Sequence, residues 1–329
     1  MLKVVLIGYG ELAQSLLIGM LESRHKVVGV LRWEQERPNK PIAFLRDTFI
    51  PDGLTSIIRA VNIHEIKAKK VNSKKFIKII KKLAPDVILV GSWGEIIKKE
   101  IINLPKVAFI NCHPSLLPTH RGSNPYASAI KNGETKAGIT FHLMNEGIDT
   151  GEILLQKDVN ISEEDTGGSL RNKCAFTAKN AVSELLDKLE KAELIPKKQD
   201  ESKASYFPRL NPNDAKISWK KPATEIHNNI RAIFPWIKSY TLHKDTFLFI
   251  QSTKVIEIPT SYPAGTPRND GSGSAPGKIL AKKGGNLIIS TADTNKAILA
   301  ENIETYGFLS KLWSNHYINK KIKIGDFLC

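Results

Sequence analysis

The chain has 329 residues, 41% hydrophobic and 25% charged, with 48 Lys and Arg against 33 Asp and Glu and a formal net charge of +15. This composition excludes an intrinsically disordered polymer, which lacks large apolar groups, and at about 150 residues per domain the length favours two cores over one. Three widely spaced cysteines (Cys112, Cys174, Cys329) make neither a disulfide framework nor a Cys-x-x-Cys metal site, and the apolar start MLKVVLI is too short for a signal segment or a membrane span, so a reducing cytoplasm is expected.

Residues 2–7 (LKVVLI) read as a buried strand, followed by a glycine turn and a helix-period segment over 11–22. Residues 26–31 give a second buried strand, and 33–73 are less regular. A basic helix (KKFIKIIKKLA) and an apolar strand over 86–90 come next. Residues 107–112 and 138–144 add two strands, with a helix-like segment over 124–131 between them. Buried strands alternating with helices predict a parallel-rich sheet covered on both faces, a Rossmann-like α/β domain whose ligands sit at the carboxyl ends of the strands. A long amphipathic segment over 167–192 closes this domain, set at 1–192. Residues 193–205 (ELIPKKQDESKAS) have the polar composition of an exposed linker. In 206–329 the pattern changes to one short helix over 223–233 and then TFLFIQS, GKILAKK, NLIISTA and AILAENI, short strands that predict a small antiparallel, OB-like barrel. The stretch PAGTPRNDGSGSAPG is of low complexity and is expected to be disordered.

Three motifs compete for the chemistry. Gly8-Tyr9-Gly10-Glu11-Leu12-Ala13, with Glu34 further on, matches a dinucleotide fingerprint and would make an NAD-dependent dehydrogenase, yet tight strand-to-helix turns use glycine without any nucleotide. Asn111-Cys112-His113-Pro114-Ser115-Leu116-Leu117-Pro118 ends an apolar strand, so alternation puts Asn111 and His113 on one side and Cys112 on the other. An amide donor beside an imidazole can stabilise an oxyanion and shuttle a proton; both side chains could equally do no more than satisfy the turn. Gly147-Ile148-Asp149-Thr150-Gly151 places a carboxylate between glycines, which would fix the tautomer of a nearby histidine or simply form a turn. Zinc held by His113, His142 and Asp149 is a further alternative that no recurrent ligand spacing supports, and no metal is expected.

The run NCHPSLLPTHRGSNPYASAIKNGETKAGITFHLMNEGIDTGEILLQ resembles the signature region of the folate-dependent formyltransferases, in which an N-x-H pair, an SLLP loop and a D-T-G turn recur together. SYFPRLNPNDAKISWKKPATEIHNNIRAIFPW, APGKIL and KKIKIGDFL are similar to the C-terminal domain of the family members that act on methionyl-tRNA. The resemblance implies 10-formyltetrahydrofolate as co-substrate, Asn111, His113 and Asp149 as catalytic residues, and a folate site lined by Val90, Gly91, Ser92, Trp93, Ser115, Leu116, Leu117 and Pro118. It implies structural roles for Gly8 and Gly10. Two features depart from the tRNA-specific pattern: Pro114 stands where those enzymes usually have glycine, and the segment WEQERPNKPIAFLRDTF lacks the glycines of their acceptor-stem loop. The acceptor is therefore expected to be initiator methionyl-tRNA, with a nucleotide-linked amino sugar as the alternative. The basic balance of 206–329, which holds 17 Lys and Arg against 9 acidic residues, can meet an RNA backbone by releasing counterions, although an AT-rich genome also yields Lys, Asn and Ile. Arg121, Lys220, Lys221 and Arg231 are the candidate acceptor contacts, with Lys216, Lys282 and Lys283 as further candidates. No membrane partner is expected.

Overall fold

The computed structural model describes residues 1–32, 52–258, 275–305 and 310–329, with side chains from 313 in the last of these. Glu34, the segment WEQERPNKPIAFLRDTF and most of PAGTPRNDGSGSAPG lie outside the described residues. The chain forms two compact units. The first comprises 1–125, 136–160 and 169–208, and the second comprises 126–135, 161–168 and 209–329.

The first unit is built on six strands: β1 (Lys3–Gly8), β2 (Lys26–Arg32), β3 (Val87–Gly91), β4 (Ala108–His113), β6 (Lys136–Leu143) and β7 (Ile153–Asn160), in the order β2-β1-β3-β4-β6-β7. A short pair, β5 (Arg121–Gly122) and β8 (Tyr206–Phe207), lies apart. The first four strands of the sheet are parallel, as their alternation with α1 (Gly10–Leu21), α2 (Gly53–Ala60), α3 (Lys74–Leu83) and α4 (Lys99–Ile102) requires, whereas β6 runs antiparallel to both β4 and β7. Val5, Ile7, Ile88, Val90 and Phe109 pack in one cluster with Phe76 and Ile80. Their strand neighbours Val4, Leu6, Leu89 and Ile110 are wholly buried too, so the parallel strands read as continuous apolar runs.

Local chemistry sets the helix ends. The Ser73 side chain accepts from the backbone N–H of Phe76 to start α3, Phe76 and Ile80 form its buried stripe, and Lys81 and Lys82 stand at its negative end. At the fingerprint turn, a Cβ on Gly8 would lie 2.1 Å from the carbonyl oxygen of Gly91, and Gly10 has a φ of +66°. Close strand packing and the turn itself account for both glycines.

In the second unit, β9 (Ser239–His243), β10 (Thr246–Glu257), β11 (Ile279–Lys283), β12 (Asn286–Ser290) and β13 (Lys296–Thr305) form an antiparallel sheet in the order β11-β12-β13-β10-β9. The final residues bridge its two edges. Ile279 and Gly277 exchange backbone hydrogen bonds with 325–328, and Leu242 does so with Cys329, so the barrel closes through a segment that sequence pattern did not mark as a strand. Ile226 and Ile230, from the helix Ala223–Ile233, join Leu248, Ile250, Leu287, Ile289 and Ile298 in the core. Among the described residues the remaining helices are α5 (Pro125–Lys131), α6 (Gly167–Glu190), α7, which is the helix Ala223–Ile233, and α8 (Ser310–Lys320). Among the described residues no helix is long and apolar enough to cross a membrane.

Candidate active site

The site grows out of the antiparallel register between β4 and β6. Asn111 pairs with His142 and His113 with Thr140, and residues directly opposite share a face, so these four side chains stand together. Cys112 falls on the other face, fully buried, and burial pushes its thiol up. The β6–β7 connection then carries Asp149 back over them. Its φ of +55° is a left-handed conformation that Asp tolerates better than most residues. A Cβ on Gly151 would lie 1.6 Å from the carbonyl oxygen of Leu143, so this turn closes tightly only with glycine there.

The Asn111 amide donates from Nδ2 to His142 Nε2 at 3.1 Å and to Asp149 Oδ1 at 3.3 Å. Asp149 Oδ2 accepts the backbone N–H of Gly122 at 3.0 Å and stands 3.5 Å from His113 Nδ1. His113 Nε2 lies 2.9 Å from the carbonyl oxygen of His120, which can only accept, so the hydrogen of the neutral ring belongs on Nε2 and the lone pair on Nδ1, facing Asp149. Burial pushes the His113 imidazole below its ordinary value, against the pull of Asp149 and the His120 carbonyl. Burial works against ionising Asp149, but the charge of His113 and the Gly122 N–H oppose it, and the carboxyl is held well below the usual range. At neutral pH the pair is a neutral imidazole beside a fixed carboxylate.

A second layer holds the turn. Gln199 donates from Nε2 to the carbonyl oxygens of Asp149 and Gly151, at 2.8 and 2.7 Å, and its Oε1 accepts from Arg121. The guanidinium of Arg121, proposed above as an acceptor contact, is spent on Gln199 and on a two-pronged pair with Glu201 at 2.9 and 2.7 Å; its residue is buried. Ser205 accepts the N–H of His120 on its hydroxyl. Residues 197–207 are thus hydrogen-bonded along the first unit while most of them stay exposed. Composition could not find them, because each polar side chain acts through a partner distant in sequence. The contact of His142 with Asn111 was equally invisible without the strand register.

Val90 and Gly91 end β3, Ser92 and Trp93 follow them, and the loop 115–118 leaves the neighbouring parallel β4, so both segments named for the folate site lie at the carboxyl ends of adjacent central strands. The loop is firmly anchored: Leu117 N–H donates to the Thr140 hydroxyl, which donates to the carbonyl oxygen of Ser115, and Gln156 donates to that of Leu117. In the second unit Lys220 is exposed and Lys221 pairs with Glu225. Arg231 is turned inward, donating to Asn228 and to the carbonyl oxygens of Ser162 and Asp165. Lys282 gives its ammonium to the carbonyl oxygens of Ile318, Asn319 and Ile322, capping the end of α8. Lys216 and Lys283 are exposed. The His113, His142 and Asp149 set is not a compact ligand group; among the described residues that spacing is met by His25, Asp187 and Glu190, where Arg24 already pairs with both carboxylates.

Residues 2–186 match the formyl transferase family and residues 209–307 the formyl transferase C-terminal domain. A methionyl-tRNA formyltransferase of Caldanaerobacter subterraneus subsp. tengcongensis is 34% identical over 265 residues, covering 80% of this chain and 84% of that protein. One from Citrifermentans bemidjiense is 31% identical over 327 residues, covering 99% and 93%. Among solved structures, an N-formyltransferase of Helicobacter canadensis in complex with folinic acid and dTDP-3-aminofucose superposes with a TM-score of 0.65 at 22% identity, covering 93% of this chain and 100% of the other. The chain belongs to the formyl transferase family.

Proposed function

We propose that the protein transfers the formyl group of 10-formyltetrahydrofolate to the amino group of initiator methionyl-tRNA. The observation that carries this reading is the convergence of Asn111, His113 and Asp149 at the carboxyl end of β4, in a chain whose relatives at 31–34% identity are methionyl-tRNA formyltransferases over most of their length. The neutral amine attacks the formyl carbon, forming a C–N bond and a tetrahedral oxyanion. Asn111 donates an amide N–H to that oxygen, a contact worth about 3 kcal/mol of barrier. His113 takes the proton shed by the attacking nitrogen at Nδ1, where Asp149 stabilises the imidazolium, and returns a proton to the folate nitrogen as the C–N10 bond breaks. Val90 to Trp93 and Ser115 to Pro118 are proposed to hold the folate, and Lys216, Lys220, Lys221 and Lys283 to meet tRNA phosphates. The reaction takes place in the cytoplasm, and side-by-side binding removes the entropy of encounter.

A nucleotide-linked amino sugar is the second reading, favoured by the His113-Pro114-Ser115 form and by the likeness to the Helicobacter canadensis enzyme. Salt separates the two. Binding of tRNA through several lysines gives log affinity that falls linearly with log salt, by about 0.7–0.9 per phosphate neutralised, and charge reversal at Lys220 and Lys221 flattens that slope while folate binding is unchanged. A shallow slope indifferent to the reversal favours the sugar.

A further inference from the structure

We propose that His142 is a positioning residue that sets the rotation of the Asn111 amide, an inference that rests on the role of Asn111 proposed above. The geometry determines the direction of every hydrogen in the contact. His142 Nδ1 lies 2.9 Å from the carbonyl oxygen of Leu143, which can only accept, so the neutral ring carries its hydrogen on Nδ1 and presents a lone pair at Nε2. That lone pair meets Asn111 Nδ2 at 3.1 Å. The opposite rotation of the amide would set its carbonyl oxygen against the Asp149 carboxylate, acceptor to acceptor, so the NH₂ end must face His142 and Asp149. An amide is planar, and once one N–H is fixed on His142 the direction of the other is fixed as well. The second N–H sits on the longer, 3.3 Å contact with Asp149 and is the one released to an oxyanion at least cost. His142 is almost wholly buried, so no solvent molecule replaces it as acceptor without a rearrangement of the strand pair.

Without the Nε2 acceptor the amide samples rotations in which its donor is misdirected, and preorganisation of the oxyanion contact is lost while ground-state binding is kept. His142→Leu removes the acceptor and keeps apolar bulk; His142→Gln restores an acceptor, since the side-chain oxygen of Gln reaches about where Nε2 stands. The expected result in a formylation assay is a loss of about tenfold in kcat with KM changed less than twofold for His142→Leu, and kcat within about threefold of wild type for His142→Gln. In the Asn111→Ala background the same Leu substitution should change kcat by less than twofold, because the group it orients is gone. His142→Met stands in if Leu at this buried position does not fold. A kcat for His142→Leu equal to wild type, equal impairment by Leu and Gln, or a full tenfold loss on top of Asn111→Ala would each overturn the proposal while leaving the role of Asn111 intact. Undiminished activity in Asn111→Ala itself would instead remove the reading on which it rests.

Discussion

The chemistry depends on a few atoms whose protonation is set by burial. Because His113 is held neutral beside an ionised Asp149, Asp149→Asn should remove the partner of the imidazolium, and His113→Ala the proton acceptor; each is expected to lower turnover by at least about a hundredfold with melting temperature changed little. Near-wild-type turnover in either variant would contradict the roles assigned. Asn111 and His113 were legible in the sequence because strand alternation alone puts them on one side. Asp149 stood out between its glycines either as a histidine partner or as a plain turn former, and only the family resemblance implied a catalytic role. Its distance to His113 follows from the β6–β7 turn, and no local pattern encodes that. Gly122, Gln199 and Glu201 carried no readable signal, and His142 was named only as an alternative metal ligand, since a residue whose partner is strands away looks like any other.

At the scale of elements, the parallel half of the first sheet could be read from its apolar runs, but β7 (ILLQKDVN) could not: its half-buried, charge-bearing pattern reflects an edge strand with one neighbour. The reversal of direction at β6 was hidden because a buried apolar run does not report strand direction, although it places Asn111 opposite His142 and turns the Asp149 segment into a hairpin connection. That hairpin is the element on which the site depends most. Gly151→Ala would force a Cβ into the Leu143 carbonyl, so the turn must open. Overpacking of this kind costs about 1–3 kcal/mol. Urea unfolding should show a lower midpoint, and turnover should fall as well because Asp149 moves with the turn. An unchanged midpoint with full activity would show that the hairpin is not under this constraint.

For the whole molecule, buried histidines tie stability to pH. Burial lowers His25, His113 and His227 below the ordinary imidazole value. Between their folded values and about 6.5, the unfolded chain binds more protons than the folded one, so stability is fully present above that range and declines as pH falls through it. Thermal melting should therefore drop between pH 7 and pH 5.5, before the depressed carboxylates such as Asp149 are titrated; a flat or rising melting temperature would contradict the burial of these rings. The change of pattern near residue 206 was legible in the sequence. Closure of the second unit by residues 325–329 was not, since GDFLC is too short to show a period. Ligands should stabilise the native protein, so folate analogues are expected to raise the melting temperature and NAD to leave it unchanged; the reverse would revive a dinucleotide site. The central claim, a formyl transfer onto aminoacylated tRNA, is tested most directly by incubating the purified protein with 10-formyltetrahydrofolate and either charged initiator tRNA or a panel of nucleotide-linked amino sugars, and following which amine gains the formyl group. Formylated methionyl-tRNA, absent in the Asn111→Ala protein, is the expected outcome; turnover of an amino sugar alone, or of no acceptor, would contradict it.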